Sequence, residues 1–340
     1  MKIRKAIEGF AIEGFVHRPG VHCDTSAIRD VFEYYGFRFS EPMVFGLGSG
    51  LGFVYWETRQ MPFPFVGGRA RDFIRDLCSN LGVIVNVHET RSRRRAYEAL
   101  RGLIETDNPV MINVDMPQLS YLGLPPEAHF GGHAVVVAGL DEEEGVVHIA
   151  DTGFKKPQTA TLKELEEARA SGFKPFPPKN RWFTFRFPQR LTPIASAIRR
   201  AIGRTVDHML NPPIRNLGVK GIRRFADEVV GWPRRYPPER IGWGYDMTYI
   251  YLEEDGTGGG CFRYLYSSFL KEAGERVGTE ALSQLGTQYR GVGEKWTEIA
   301  KLIKNIPSRA DNAYRARDLL LEVAEEEEEI LNSLKGVVEG

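Results

Sequence analysis

The stretch "GGHAVVVAGLDEEEGVVHIAD", residues 131–151, decides how the chain is read. Two runs rich in β-branched residues flank an acidic turn that ends in Gly145, the signature of a β-hairpin. His133 opens the first strand, just after Gly131 and Gly132, and Asp151 closes the second. With the turn centred near Glu142–Glu144, His133 faces positions 151–153. Strand alternation then puts 133, 135 and 137 on the same face as 147, 149 and 151. Direct or diagonal cross-strand neighbours lie roughly 5–8 Å apart at Cβ. Asp151 can therefore accept a hydrogen bond from the imidazole and set its tautomer. A histidine oriented by a carboxylate is half of a nucleophilic site, and it raises the question of which side chain it activates.

The candidate lies upstream, in "PGVHCDTSAIRDVFEYYG", residues 19–36. Ala27, Ile28, Val31, Phe32 and Tyr35 recur at helical spacing, Asp24, Thr25 or Ser26 caps the start, and Gly36 ends the helix. Cys23 thus stands at a helix N-terminus, where the dipole and unpaired amides favour a thiolate. Three readings stay open for it at this point: nucleophile, metal ligand or inert thiol. For a metal, His129 and His133 are four apart. Phe130-Gly131-Gly132 between them is poor helix material, so the helical geometry of such ligand pairs fails, and no metal is expected. For the nucleophile, the backbone amide of Cys23 is itself an oxyanion donor. Cys78 reads as helix core. Cys261 follows the run "GTGGG" (256–260), which can line a substrate entrance, and has no histidine–carboxylate pair nearby in the pattern.

The rest of the first 190 residues reads as helices first and strands later, an α+β pattern. Residues 41–57 predict a short helix, a glycine-rich loop and a strand. Residues 69–82 predict a helix, 83–90 a strand, 94–107 a helix, 109–115 a strand and 182–187 a further alternating strand. "GLGSGLGF" (46–53) lacks the Lys-Ser/Thr of a phosphate loop and precedes a strand, so a loop beside the reactive cleft is expected. Gly48, Gly50, Tyr55, Trp56 and Gly132 are the substrate-contacting candidates. After Pro188 the pattern turns helical over 192–204, 216–231, 260–273, 279–291, 294–305 and 309–335, with Pro-rich separators. The acidic run "EEEEE" (325–329) reads as a solvated helix face, and "RSRRR" (91–95) as a solvated helix start. Two domains are expected, 1–190 and 191–340.

Among the 340 residues, 45 Lys+Arg balance 45 Asp+Glu, 42% are hydrophobic and 26% charged. A soluble globular protein is implied, and neither nucleic acid nor an anionic membrane is expected as partner. No apolar run approaches a bilayer span, and "MKIRKAIEGFAIEGF" (1–15) lacks a signal-peptide core, so a cytoplasmic protein is expected. Three cysteines without paired spacing do not suggest a disulfide scaffold.

The segment "HCDTSAIRDVFEYYGFRFSEPMVFGLGSGLGFVYW" (22–56) resembles the N-terminal domain of the butirosin biosynthesis protein H family, and "GGHAVVVAGLD" with "IADTGF" resembles its histidine hairpin. The part around "TGGGCFRYLYSSFLKEA" (257–273) looks like the uncharacterised helical domain that often follows. The resemblance implies a papain-like cysteine fold used for acyl transfer, with Cys23 as acyl-accepting nucleophile, His133 as base and Asp151 as its orienter. Papain-like enzymes carry a glutamine six positions before the cysteine as a further oxyanion donor. Here that position is His17, with Arg18 beside it as a substitute. The implied donor is a thioester on phosphopantetheine or CoA, with an acyl carrier protein as partner, and the implied acceptor is a small-molecule amine. No bound cofactor is expected. The helical domain is expected to act as a lid that excludes water. Two alternatives share the pattern: a cysteine peptidase or amidase with the same site, and a non-catalytic binding module.

Overall fold

A computed structural model describes residues 12–59 and 61–339. The first eleven residues, on which the signal-peptide expectation rests, lie outside the described part. In chain order the elements are α1 Cys23–Tyr34, α2 Glu41–Leu47, β1 Leu51–Trp56, β2 Phe65–Arg69, α3 Phe73–Leu81, β3 Ile84–His88, α4 Arg93–Glu105, β4 Val110–Val114, β5 His133–Asp141, β6 Val146–Ala150, β7 Gln158–Thr161, α5 Leu162–Ala170 and β8 Trp182–Arg186. Then follow α6 Ile194–Leu210, α7 Gly218–Val229, α8 Trp232–Arg235, α9 Pro238–Tyr249, α10 Arg263–Val277, α11 Glu280–Lys304 and α12 Asn312–Glu339. The class is α+β, mostly helical toward the C-terminus. The Pro-rich stretch read as a separator holds α8 and α9, because Pro237 and Pro238 stand at a helix start, where a missing N–H costs nothing. The two helices expected at 279–291 and 294–305 are one, α11, running through Gly291 and Gly293.

The chain divides into two compact units, and the expected boundary at residue 190 falls beside one of their junctions, at 188–189. One unit comprises residues 1–41 and 83–188, the other 42–82 and 189–340. The expected boundary misplaced 42–82 because a linear reading cannot see chain reversal.

In the first unit, six antiparallel strands form one sheet in the order β3-β8-β4-β5-β6-β7. Both faces of β5 are buried. Val135 and Val137 join Val147 and Ile149 in a core with Leu100 of α4 and Leu165 and Ala168 of α5. α1 packs on β5 and β4 from the other face through its buried Ala27, Ile28, Val31 and Phe32, and Phe32 also meets Phe185 and Phe187 edge-on.

The hairpin register is not uniform. From the turn outward, Asp141 pairs with Val146, Leu140 with Val147 and Gly139 with His148. Beyond Ala138 the pairs are Val137 with Ile149 and Val136 with Ala150. Ala138 is the extra residue of a β-bulge, and a bulge shifts register by one. Continued to the strand ends, the shifted register sets His133 across from residue 153 and puts Asp151 on the face of His133. Unshifted, it would set Asp151 opposite Val136, pointing the other way.

In the second unit, the buried pair Arg263–Glu327 joins several elements. Arg263 Nε and Nη2 donate to the two carboxylate oxygens of Glu327 at 2.8 and 3.0 Å, while Nη1 donates to the carbonyls of Cys261 and Gly52. Trp296 Nε1 donates to the same carboxylate, and its ring lies under the guanidinium, 5.0 Å away. Glu327 belongs to the acidic run read as solvated, and it is fully buried. The rest of that run follows the expected exposed pattern, so helical phase, not composition, singled out one residue.

Gly46 of α2 illustrates how closely this unit packs. A Cβ placed there would lie 1.9 Å from the buried ring of Phe269. Gly46→Ala is expected to destabilise the protein by about 1–3 kcal/mol, the usual cost of overpacking. Urea unfolding of the variant checks this, and a midpoint equal to wild type would contradict the packing.

Candidate active site

Cys23 is the first residue of α1, and His22 is its N-cap, its Nδ1 accepting from the Thr25 amide at 3.4 Å. The Cys23 amide, at the first helical position, has no acceptor within the helix. The segment leading to it is held by the Glu41 carboxylate, which accepts from the amides of Val21 (3.1 Å) and His22 (2.9 Å) and from the hydroxyls of Thr25 (2.8 Å) and Ser26 (3.3 Å). Arg29 approaches the same carboxylate at 3.8 Å. Glu41 therefore acts on the turn that presents the thiol. Its spacing from Cys23 carries no motif, and the sequence reading missed it.

His133 is the first residue of β5. Its Nε2 lies 2.8 Å from Asp151 Oδ1. The Cys23 thiol is hydrogen-bonded to the same ring, and with Nε2 held by Asp151, Nδ1 is the nitrogen left to face sulfur. Cys23, His133 and Asp151 are thus brought together in the first unit. Burial opposes charging the ring, but the Asp151 carboxylate and then Cys23 outweigh it, so the imidazolium is held well above its ordinary value of 6.5. Burial likewise opposes charging Asp151, but His133 and the donors Tyr121 and the Thr152 amide hold its carboxyl below the usual 3.8.

Asp151 is 2% exposed and fully engaged. Tyr121 donates to its Oδ2 at 2.8 Å. Burial and then the Asp151 charge push the Tyr121 phenol well up, so it stays a donor. Tyr121 sits in a short 3₁₀ turn with no distinguishing pattern, and only the fold reveals it. The Asp151 carbonyl accepts from the Phe154 amide and from His17 Nε2, at 3.0 and 3.1 Å. Gly20 donates to the Thr152 carbonyl at 3.0 Å. The segment before the cysteine is in this way laced to the segment after the carboxylate.

That lacing corrects one expectation. His17 Nδ1 is bound to Asp30, and Nε2 faces the carbonyls of Asp151 and Phe154. Both nitrogens meet protein acceptors, so His17 positions the site and is not an oxyanion donor. Arg18 does not replace it, because its guanidinium pairs with Glu33 at the surface. Of the expected oxyanion donors, the Cys23 amide at the first helical position is the candidate that remains.

The substrate-contacting candidates fall differently as well. Gly48, Gly50 and Tyr55 belong to the core of the second unit. A Cβ on Gly48 would strike the Phe73 ring at 2.3 Å, and one on Gly50 the Phe45 ring at 2.6 Å. Tyr55 is fully buried, its ring beside Phe225 and its oxygen bonded to Trp232 and Glu57. Close packing of rings explains these residues without a substrate. Trp56 is exposed on the same unit. Gly132 adjoins His133, half-buried beneath Phe130, and its carbonyl accepts from Asn113 at 3.2 Å. The close backbone approach expected here belongs instead to Gly131, whose missing Cβ leaves room for the Phe176 carbonyl 2.4 Å from that point.

The other thiols are different in kind. Burial pushes both Cys78 and Cys261 up to about 12. His129 is bound to Asp115 at 2.8 Å. Among the described residues no group of three or more His, Cys, Asp or Glu side chains is arranged to hold a metal ion, and no helix is long and apolar enough to cross a membrane.

Residues 22–152 match the family model described as butirosin biosynthesis protein H, N-terminal. Residues 163–334 match a second, described as a domain of unknown function, DUF4872. The second match spans just over half of the chain, which belongs to that family, and the N-terminal region carries the butirosin biosynthesis protein H-type domain. All three residues of the cluster fall in the butirosin protein H-type region. The DUF4872 region begins at residue 163, inside the first compact unit, so family boundaries and compact units do not coincide. The N-terminal match supports a biosynthesis-related enzyme domain. No curated protein matches the chain.

The His133–Asp151 pair makes stability depend on pH in a definite direction. The raised His133 value contributes stability that is present below pH 6.5 and is lost as pH rises through the folded value. The lowered Asp151 value contributes stability that is present above 3.8 and is lost as pH falls through the folded value. Wild type is therefore expected to exceed Asp151→Asn most between about pH 4 and 6.5, with the gap narrowing by roughly 1–3 kcal/mol toward alkaline pH. Denaturant unfolding at pH 5.5 and 9.5 measures it, and a gap that widens with pH would contradict the coupling.

Proposed function

We propose that this protein is a papain-like cysteine acyltransferase, moving an acyl or aminoacyl group from a thioester to an amine through an acyl-enzyme on Cys23. The observation that carries this reading is the continuous chain from the Cys23 thiol through His133 to Asp151, with 2.8 Å between His133 Nε2 and Asp151 Oδ1.

Chemically, His133 takes the proton of the Cys23 thiol as the sulfur attacks the thioester carbonyl. The developing oxyanion is met by the Cys23 amide at the helix start. On collapse the donor's C–S bond breaks, and imidazolium returns the proton to the departing thiol. The amine then attacks the acyl–Cys23 carbonyl, His133 takes the surplus amine proton, and the amide leaves as the thiolate is restored. Asp151, held by Tyr121, keeps the ring oriented through both halves. A donor thiol on phosphopantetheine or CoA, an acyl carrier protein to deliver it and a small-molecule amine to receive the group complete the scheme.

Incubation with an acyl thioester and a small amine tests the reading by mass spectrometry. An acyl adduct on the wild type and amide product are expected, and Cys23→Ala should lose both, with activity down about a thousandfold or more. Free acid as the sole product would replace transfer by hydrolysis at the same site. Absence of any adduct, or full activity in Cys23→Ala, would remove the catalytic reading altogether.

A further inference from the structure

A cavity in the first unit, of about 300 Å³, opens between α4 and α5 and shares no residue with the Cys23 site. On one side it is lined by Arg169, the penultimate residue of α5, which is 3% exposed. Nη1 of Arg169 donates to the Ala96 carbonyl at 3.0 Å. Nε and Nη2 are buried and have no hydrogen-bond partner among the described residues. These two groups form one edge of the guanidinium, the parallel pair of donors that fits two oxygens of an anion. A buried guanidinium with a whole edge unpaired is costly in a folded protein. Burial also lowers the Arg169 value to about 10, a direction that a bound anion would reverse.

The charges around the cavity select the ligand. Arg93 and Lys163 stand at its rim with more than half of each side chain exposed, and Glu166 is the one carboxylate in the lining. Glu166 faces Arg93 at 3.3 Å, and Lys163 lies 3.9 Å from Glu167 outside the cavity. With Glu166 and Glu167 set against Arg93, Lys163 and Arg169, the surroundings keep a net positive charge that favours an anion, and the unpaired Arg169 edge offers it two parallel donors. Tyr97, Leu162 and Leu165 add an apolar wall.

We propose that this cavity binds a phosphate monoester, with two phosphate oxygens on the Nε–Nη2 edge of Arg169 and the ester's carbon portion against Tyr97, Leu162 and Leu165. The site is separate from the acyl-transfer reading and stands if that reading falls.

Calorimetric titration of the full chain with inorganic phosphate, and with acetate at matched ionic strength, tests it. Saturable phosphate binding well above that of acetate is expected. Arg169→Gln should weaken it by roughly tenfold or more, the loss of a charge-assisted bidentate contact. Lys163→Glu, at an exposed position that folding does not depend on, should weaken it by about threefold or more through charge alone. Phosphate binding no better than acetate would overturn the proposal, as would a folded Arg169→Gln that binds like wild type. If Arg169→Gln does not fold, undiminished binding by Lys163→Glu overturns it.

Discussion

A buried carboxylate must be surrounded by donors, and in this chain Asp151 meets that demand in a way that assembles the site. Its two carboxylate oxygens take His133 and Tyr121, and its backbone carbonyl takes His17 and the Phe154 amide. The Phe154 amide is local, but the other three donors come from elsewhere in the first unit: the segment before α1, the 3₁₀ turn after β4, and the start of β5. Satisfying this one residue, carboxylate and carbonyl together, therefore fixes three segments relative to one another. The thiol at the start of α1 meets the imidazole as a consequence of that arrangement.

A second carboxylate completes the work from the other side. Glu41 gathers the amides and hydroxyls of residues 21, 22, 25 and 26 around the turn that precedes Cys23. Groups that hold a nucleophile by backbone amides leave its side chain free for chemistry. The same economy of buried charge appears in the second unit, where Arg263 and Glu327 satisfy each other and join β1 to three helices. Arg169 stands apart from these two cases, because it alone of the three leaves an edge of its charged group without a partner.

The seven predicted stretches of residues 1–190 outside the hairpin appear as elements within a few residues of their expected ends, because hydrophobic period and turn residues are local properties. Short or weakly patterned elements escaped: β2, β7 and α5 carry too little periodicity over four to nine residues, and α8 and α9 hide behind prolines that start helices as readily as they separate them. In the site, Cys23, His133 and Asp151 were legible because each sits at an element boundary that the pattern marks. His17 was given the wrong task, since its position relative to the cysteine says nothing about the acceptors waiting on the 151–154 segment. Gly48, Gly50 and Tyr55 were read as substrate contacts, when aromatic rings of the second unit had claimed their space.

The sequence by itself determined the helix that begins at Cys23, the strands that begin at His133 and end near Asp151, and the family to which the chain belongs. Those are matters of local spacing and of residues in order. Tertiary structure alone decided that residues 42–82 join the C-terminal helices, that Glu327 leaves the solvent, and that Tyr121, His17 and Glu41 serve the site. It also placed one extra residue, Ala138, in β5. The expected facing of His133 and Asp151 holds through that bulge, which no alternation pattern can announce, because a register is a relation between two strands and not a property of either.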